Sequence, residues 1–148
     1  MTTYINNKKV TFNYELLERI EAGISLYGTE VKSIRKGHGK LDGANVVIRG
    51  GEAYLVGSSV PAFQPANADK AYEGDRVRKL LLSKKQLLHL FTESEKKGLT
   101  VVPIRLYNAG RNIKLEIAIA KGKKKYDKRE SLKARDTKRD IERTLKSQ

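Results

Sequence analysis

The chain has 148 residues, enough for one domain with a buried core and an appendage, and 39% of them are hydrophobic. Its net charge of +14 is extreme for a metabolic enzyme and typical of a protein that binds nucleic acid. The absence of cysteine excludes disulfides, zinc fingers and iron–sulfur sites.

The first third of the chain predicts two short helices with a strand between them. Asn13 fits an N-cap for a helix over residues 14–22, and residues 24–27 alternate weakly, as in a strand. Thr29 fits the N-cap of a second helix that runs to about Lys36 and ends at Gly37.

Two hairpins and one longer helix are predicted downstream. Gly50 and Gly51 separate the alternating stretches 44–49 and 52–56, which is typical of a tight hairpin with a primed turn. The stretches 99–107 and 112–120 predict a second hairpin. Between the hairpins, Ser83 and Gln86 fit a capping box, and Leu87, Leu88, Leu90 and Phe91 form an apolar stripe on a helix that is expected to end at Gly98.

Short antiparallel strands with a few helices between them predict a mainly β, α+β protein. The expected architecture is a partly closed, OB-like antiparallel β-barrel of about six strands.

The basic charge divides the chain into an expected barrel, residues 1–120, and a tail, residues 121–148. The tail holds twelve Lys and Arg against five Asp and Glu, which is half of the total net charge. It has too few apolar residues to fold alone, so we expect it to be disordered in isolation. Its opposite charges fall at helical spacing, as in Asp136 and Arg139, so we expect it to become helical on a polyanionic partner.

Catalytic and metal chemistry find little support in the sequence. The two histidines, His38 and His89, are far apart in the chain, and no pair has ligand spacing. The prediction is a protein that is not an enzyme and has no catalytic residues, metal, cofactor or small-molecule substrate. The N-terminus lacks the apolar core of a signal peptide and no apolar run is long enough to span a membrane, so the expected compartment is the cytoplasm.

Clusters of cations in the body are predicted to contact RNA phosphates. They are Lys8 and Lys9 near the start, Lys32, Arg35 and Lys36 on the second helix, and Arg76, Arg78 and Lys79 after the long loop. Contacts to phosphates are independent of base sequence and suit recognition of a folded RNA by its shape.

Several motifs in one order resemble those of the small protein B, or SsrA-binding protein, family. They are Asn7-Lys8-Lys9, EAGISLYGTEVKSIR at 21–35, GEAYL at 51–55, RVRKLLL at 76–82, VVP and LY within 101–107, and AKGKKKYDKR at 120–129. The resemblance covers about residues 6–145. It departs from the family at Glu73-Gly74, where members usually have Asp-Pro before the Arg-x-Arg-Lys motif.

The resemblance implies an OB-like barrel with three helices and no catalytic activity. It also implies two partners, transfer-messenger RNA, bound through its tRNA-like part, and the A site of a stalled ribosome. By analogy, Asn7, Glu21 and Leu81 match positions associated with RNA binding. The tail is implied to reach the decoding centre and the empty mRNA channel, with rRNA around it, through Gly122, Lys123, Lys124, Tyr126, Asp127, Lys128 and Arg129. Tyr126 stands where an aromatic ring can stack on a ribosomal base.

Two other functions remain open from the residues. One is a general single-strand-binding OB module, which would need several exposed aromatic side chains on the barrel. The other is a basic ribosomal protein that binds rRNA without transfer-messenger RNA. The tail motif favours neither of them.

Overall fold

The computed structural model of the protein describes residues 2–63 and 71–123. Within them lie seven strands and three helices, in the order β1 (Thr3–Asn6), α1 (Val10–Asn13), β2 (Tyr14–Ile24), α2 (Gly28–Arg35), β3 (Asn45–Arg49), β4 (Glu52–Val56), β5 (Arg78–Leu81), α3 (Lys84–Ser94), β6 (Leu99–Ala109) and β7 (Asn112–Gly122).

Six strands close into an antiparallel barrel. The sheet order is β6-β3-β4-β5-β2-β7, and β7 pairs back with β6 to complete the ring. β1 pairs with the part of β6 that β3 leaves free. The predicted mainly antiparallel β-barrel with three helices is confirmed.

One core fills the barrel and includes residues from two of the helices. Leu55, Leu80, Leu115 and Ile117 point inward from the three strands β4, β5 and β7 and are fully buried. Ile34 of α2 joins the same cluster, as does Leu90 of α3. The two helices are therefore fixed to the barrel by apolar burial, at about 25 cal/mol per Å² of surface removed from water.

Both predicted hairpins are confirmed. β3 and β4 pair in register from Asn45–Val56 to Arg49–Glu52. The turn residues Gly50 and Gly51 have φ values of 60° and 75°, which side-chain-bearing residues rarely adopt. The second hairpin is longer than expected, since β6 runs to Ala109 and β7 to Gly122.

The predicted helix over residues 14–22 is wrong, because this stretch is strand β2. β2 pairs with β7 from Tyr14 to Gly23, and the register shifts between Leu16 and Glu18. This bulge interrupts the alternation, so the leucines and isoleucine fall at a spacing that resembles a helix. The helix before β2 is α1, which ends at Asn13 instead of being capped by it.

Two further boundaries differ from the sequence prediction. α2 begins at Gly28, and its N-cap is Tyr27 instead of Thr29. α3 has the predicted capping box, in which the backbone amide of Gln86 donates to the Ser83 hydroxyl at 3.2 Å. It ends at Ser94, before Gly98. Its expected apolar stripe is only partly buried, because Leu88 is 67% exposed and Phe91 is 47% exposed.

Candidate nucleic-acid interface

The outer surfaces of β2, β5 and β7 bring together Glu21 and Leu81, which are 60 positions apart in the sequence. Gly23 of β2 pairs with Leu81 of β5 on one side and with Lys114 of β7 on the other. Because outward positions alternate along a strand, Glu21 lies on the same face as Gly23. We call these four residues, Glu21, Gly23, Leu81 and Lys114, the Leu81 face.

Leu81 borders an open depression of about 320 Å³. Its side chain is 56% exposed, although solvent-facing positions of an antiparallel strand are usually occupied by polar residues. Gly23 makes room for it, since a Cβ at this position would lie 3.0 Å from the Cβ of Leu81. Val31 of α2 and Ile113 of β7 also line this depression, together with Lys114.

Glu21 is a fixed hydrogen-bond acceptor at the surface. One carboxylate oxygen accepts a hydrogen bond from the hydroxyl of Tyr107, whose ring is buried. Burial first, and then this hydrogen bond, raise the pKa of Tyr107 above its ordinary value, so the phenol remains a donor. The Arg105 guanidinium lies 4.3 Å from the centroid of the same ring. Glu21 is itself exposed, so its carboxylate also remains accessible from the solvent.

Basic residues of α2 and of the β6–β7 turn border the Leu81 face. Arg35 donates from its guanidinium to the carbonyl of Arg111 at 3.4 Å, so the end of α2 lies beside the turn. Lys36 is exposed one residue further on. Lys32 is also exposed, but its ammonium lies toward Phe63, 6.0 Å from the centroid of that ring.

The expectation that Arg78 contacts RNA needs correction, because its side chain is 1% exposed. The guanidinium donates to Glu30 at 2.5 Å and 3.0 Å, to the Ser58 hydroxyl at 3.0 Å and to the Gly74 carbonyl at 2.9 Å. All three nitrogen atoms of the guanidinium thus donate to acceptors within the protein. Arg78 therefore fixes the loop to α2.

Arg76 shares this buried carboxylate. Its guanidinium binds both oxygens of Glu30 and lies 3.9 Å from the ring centroid of Tyr27, and its side chain is 21% exposed. Tyr72 also donates to Glu30, at 3.0 Å. Burial by itself raises the pKa of Glu30, but the hydrogen bonds from Arg76, the Tyr27 backbone and Arg78 outweigh it and hold the pKa below its ordinary value.

Gly74 is one of the two residues at which the sequence departs from the family that it resembles, and its carbonyl accepts one of the Arg78 hydrogen bonds. The amide of Val60 donates to its carbonyl at 2.9 Å. A Cβ at residue 74 would lie 2.9 Å from the Val60 carbonyl oxygen, so this close approach of two chains requires glycine.

Asn7 lies at the β1–β6 edge, away from the Leu81 face. Its amide side chain donates to the Pro103 carbonyl at 2.9 Å and its backbone amide donates to Ile104 at 2.8 Å. These bonds extend the pairing of β1 with β6 beyond Asn6, next to the point where the register of β6 with β7 shifts after Pro103. Lys8, its neighbour, is exposed. Lys79 is half exposed, with its ammonium 3.4 Å from the Glu52 carboxylate.

The tail residues fall largely outside the described part. Gly122 is the exposed last residue of β7 and pairs with Tyr14, and the Lys123 amide donates to the Asn13 carbonyl at 2.9 Å. The other predicted tail residues, Lys124, Tyr126, Asp127, Lys128 and Arg129, lie beyond residue 123.

The described residues contain neither a cluster of potential metal ligands nor a helix suited to cross a membrane. Across 2–63 and 71–123 there is no group of three or more potential metal ligands. His89 lies 2.8 Å from the Glu18 carboxylate at the surface. None of the three described helices has the length and apolarity needed to cross a membrane.

Sequence reasoning missed Lys114, Tyr107 and the role of Gly23. Lys114 stands between Ile113 and Leu115 in an alternating strand, so its outward direction was readable from the sequence. Gly23 directly follows the stretch 14–22, which the sequence predicts as a helix, and its partner Leu81 is too distant in the chain to be inferred from spacing. Tyr107 meets Glu21 only because β6 and β2 flank β7.

Comparison with known proteins gives concordant matches. The family model described as "SmpB protein" matches residues 4–147. The SsrA-binding protein of Chelativorans sp. (strain BNC1) is 46% identical over 147 residues, covering 99% of this chain and 94% of that protein. The SsrA-binding protein of Sulfurihydrogenibium sp. (strain YO3AOP1) is 47% identical over 140 residues, with coverages of 95% and 91%.

A solved structure also matches the fold. It is described as "tmRNA-SmpB: a journey to the center of the bacterial ribosome" and superposes with a TM-score of 0.69. The sequence identity is 36%, and the match covers 86% of this chain and 92% of that one.

Proposed function

Because the chain belongs to the SmpB protein family, we propose that it binds transfer-messenger RNA and acts with it in trans-translation, the rescue of stalled ribosomes. The observation that carries the proposal is the match along nearly the whole chain to relatives named SsrA-binding proteins. SmpB proteins are an RNA-binding family, and the proposal assigns this chain no catalytic step. Its place of action is the ribosome in the cytoplasm.

The Leu81 face is the proposed contact for the tRNA-like part of this RNA. Leu81 supplies an exposed apolar surface for a sugar or base, and Lys114 supplies a cation for a phosphate. Glu21, held by Tyr107, is an acceptor suited to a ribose 2′-hydroxyl or a base amino group. Arg35 and Arg111 extend the positive surface along the edge.

The proposed division of labour assigns residues 1–120 to RNA binding and residues 121–148 to the ribosome. β7 continues the body to Gly122, so the tail leaves the barrel next to α1. We propose that the tail is disordered in isolation and becomes helical among the rRNA phosphates of the decoding centre and empty mRNA channel. Lys123, Lys124, Tyr126, Asp127, Lys128 and Arg129 are its proposed contacts.

Truncation after Lys125 tests this division. The truncated protein is expected to bind transfer-messenger RNA nearly as well as the full chain and to lose tagging in a reconstituted rescue assay. A large loss of RNA affinity would contradict the assignment of RNA binding to the body.

Binding of the full chain to transfer-messenger RNA, in competition with an unrelated structured RNA of equal length, tests the function. At physiological salt we expect a strong preference for transfer-messenger RNA that persists as salt is raised. Equal binding that collapses with salt would indicate charge attraction without specificity and would favour a general RNA-binding protein.

A further inference from the structure

A second outward surface lies on β3, β4 and β5 and is not part of the Leu81 face. Val47, Tyr54 and Val77 form its apolar part, and Arg49 stands at its edge. Together with Val56 they line a depression of about 530 Å³. We call this surface the Tyr54 platform.

The strand register fixes which way these side chains point. Ala53 and Leu55, which flank Tyr54 on β4, are completely buried, so the tyrosine ring points out of the barrel. In the register, Tyr54 stands between Val47 of β3 and Lys79 of β5. The ring therefore has an aliphatic neighbour on one side and a cation on the other.

The composition of this surface fits an unpaired nucleotide. Solvent-facing positions of an antiparallel sheet are usually polar, yet Val77 is 53% exposed here. An aromatic ring with aliphatic neighbours accepts the face of a base, and Arg49 and Lys79 are placed for the phosphates on either side. Glu52 holds the Lys79 ammonium at 3.4 Å, which keeps this cation beside the platform.

The Tyr54 platform is continuous with the Leu81 face along β5, which favours one RNA molecule as the ligand of both surfaces. Lys79 and Leu81 are both exposed and share the outward side of this strand, so the Tyr54 platform and the Leu81 face meet at Lys79. We propose that the Tyr54 platform binds an unpaired nucleotide of the same transfer-messenger RNA molecule that binds the Leu81 face. This inference rests on the proposed function.

The first test measures the affinity of full-length protein variants for transfer-messenger RNA. Tyr54→Ala is expected to weaken binding about tenfold, as for the loss of one stacked base, and Tyr54→Phe is expected to retain it. Phe91→Ala, which removes a 47% exposed ring from α3, is the matched control and should bind like the wild type. Thermal unfolding of each variant checks that the fold is kept.

The outcomes separate this inference from the proposed function. Wild-type protein that shows no preference for transfer-messenger RNA would overturn both. A wild-type preference that Tyr54→Ala leaves unchanged would overturn the inference alone. If Tyr54→Ala keeps its RNA affinity but loses binding to isolated small ribosomal subunits, the platform faces the ribosome and the inference is wrong.

A second test locates the contact directly and does not depend on stability. Transfer-messenger RNA containing 4-thiouridine is crosslinked to the wild-type protein, and the tryptic peptides are mapped by mass spectrometry. A crosslink at Tyr54 is expected. Crosslinks confined to peptides of the Leu81 face would contradict the proposal.

Discussion

Glu30 is the residue on which the arrangement of α2 and the loop before β5 depends most. Its side chain is 0% exposed, and the carboxylate accepts hydrogen bonds from Arg76, Arg78, Tyr72 and the Tyr27 backbone. A buried ion pair contributes little net stability when complete, but removal of one partner leaves an uncompensated charge in the interior. Arg78, equally buried, would be that charge.

Glu30→Gln is therefore expected to lower the free energy of unfolding at neutral pH by about 3 kcal/mol or more. The matched control is Glu52→Gln, because Glu52 is 41% exposed in its pair with Lys79 and should cost less than about 1 kcal/mol. Urea denaturation of the three proteins measures both differences. Equal effects of the two substitutions would contradict the structural role of Glu30.

The stability that Glu30 contributes should depend on pH. The pKa of this carboxyl is below its ordinary value of 4.5 in the folded protein, so the charged form is favoured by folding. The contribution is complete above the unfolded-state pKa and is lost as the pH falls through the folded-state pKa. The difference between wild type and Glu30→Gln should accordingly shrink as the pH is lowered below about 4.5. A difference that stays constant down to pH ~3 would contradict this linkage.

At the scale of elements, the pairing of β2 with β5 positions Leu81. Gly23→Ala would place a Cβ 3.0 Å from the Leu81 Cβ and displace that side chain. We expect affinity for transfer-messenger RNA to fall about fivefold, which corresponds to a strain of roughly 1 kcal/mol on the face. The control is Gly28→Ala, where no atom lies within 4 Å of the added carbon. Unchanged RNA binding by Gly23→Ala would show that the position of Leu81 is unimportant.

The elements that the sequence predicted are those determined by local interactions. Gly50 and Gly51 define a turn by their backbone conformations, and Ser83 with Gln86 defines a helix start by reciprocal hydrogen bonds. β2 was missed because its bulge is stabilised by pairing with β7, where Leu16 pairs with Ala120 and Glu18 with Ile119. No local pattern records that pairing.

In the candidate site, too, the residues placed by local sequence were predictable and those placed by distant residues were not. The exposure of Lys32, Arg35 and Lys36 followed from their position on a short amphipathic helix. The burial of Arg78 depends on Glu30, 48 residues earlier, and on Gly74. A basic residue at the end of a loop has the sequence context of a surface cation, so only the fold reveals that it is internal. Leu81 and Glu21 were identified by family resemblance, and the structure supplies the reason that they lie together.

At the scale of the whole molecule, a rigid barrel combines a net positive charge with localised apolar surfaces. The charge attracts any polyanion, and its attraction weakens as salt rises. Outward side chains such as the exposed Leu81 and the partly buried Tyr54 contribute contacts that depend on shape and are less sensitive to salt. Specificity for one RNA should therefore reside in these surfaces more than in the number of lysines.

The most direct test of this account compares two exposed leucines of the same chain. Leu81 is 56% exposed on the proposed RNA face, and Leu88 is 67% exposed on α3. Leu81→Asp and Leu88→Asp change the net charge equally, and their affinities for transfer-messenger RNA are measured at physiological salt. We predict that Leu81→Asp weakens binding by at least about tenfold and that Leu88→Asp binds like the wild type. Equal losses in both variants would mean that net charge governs binding, and the assignment of the Leu81 face would be wrong.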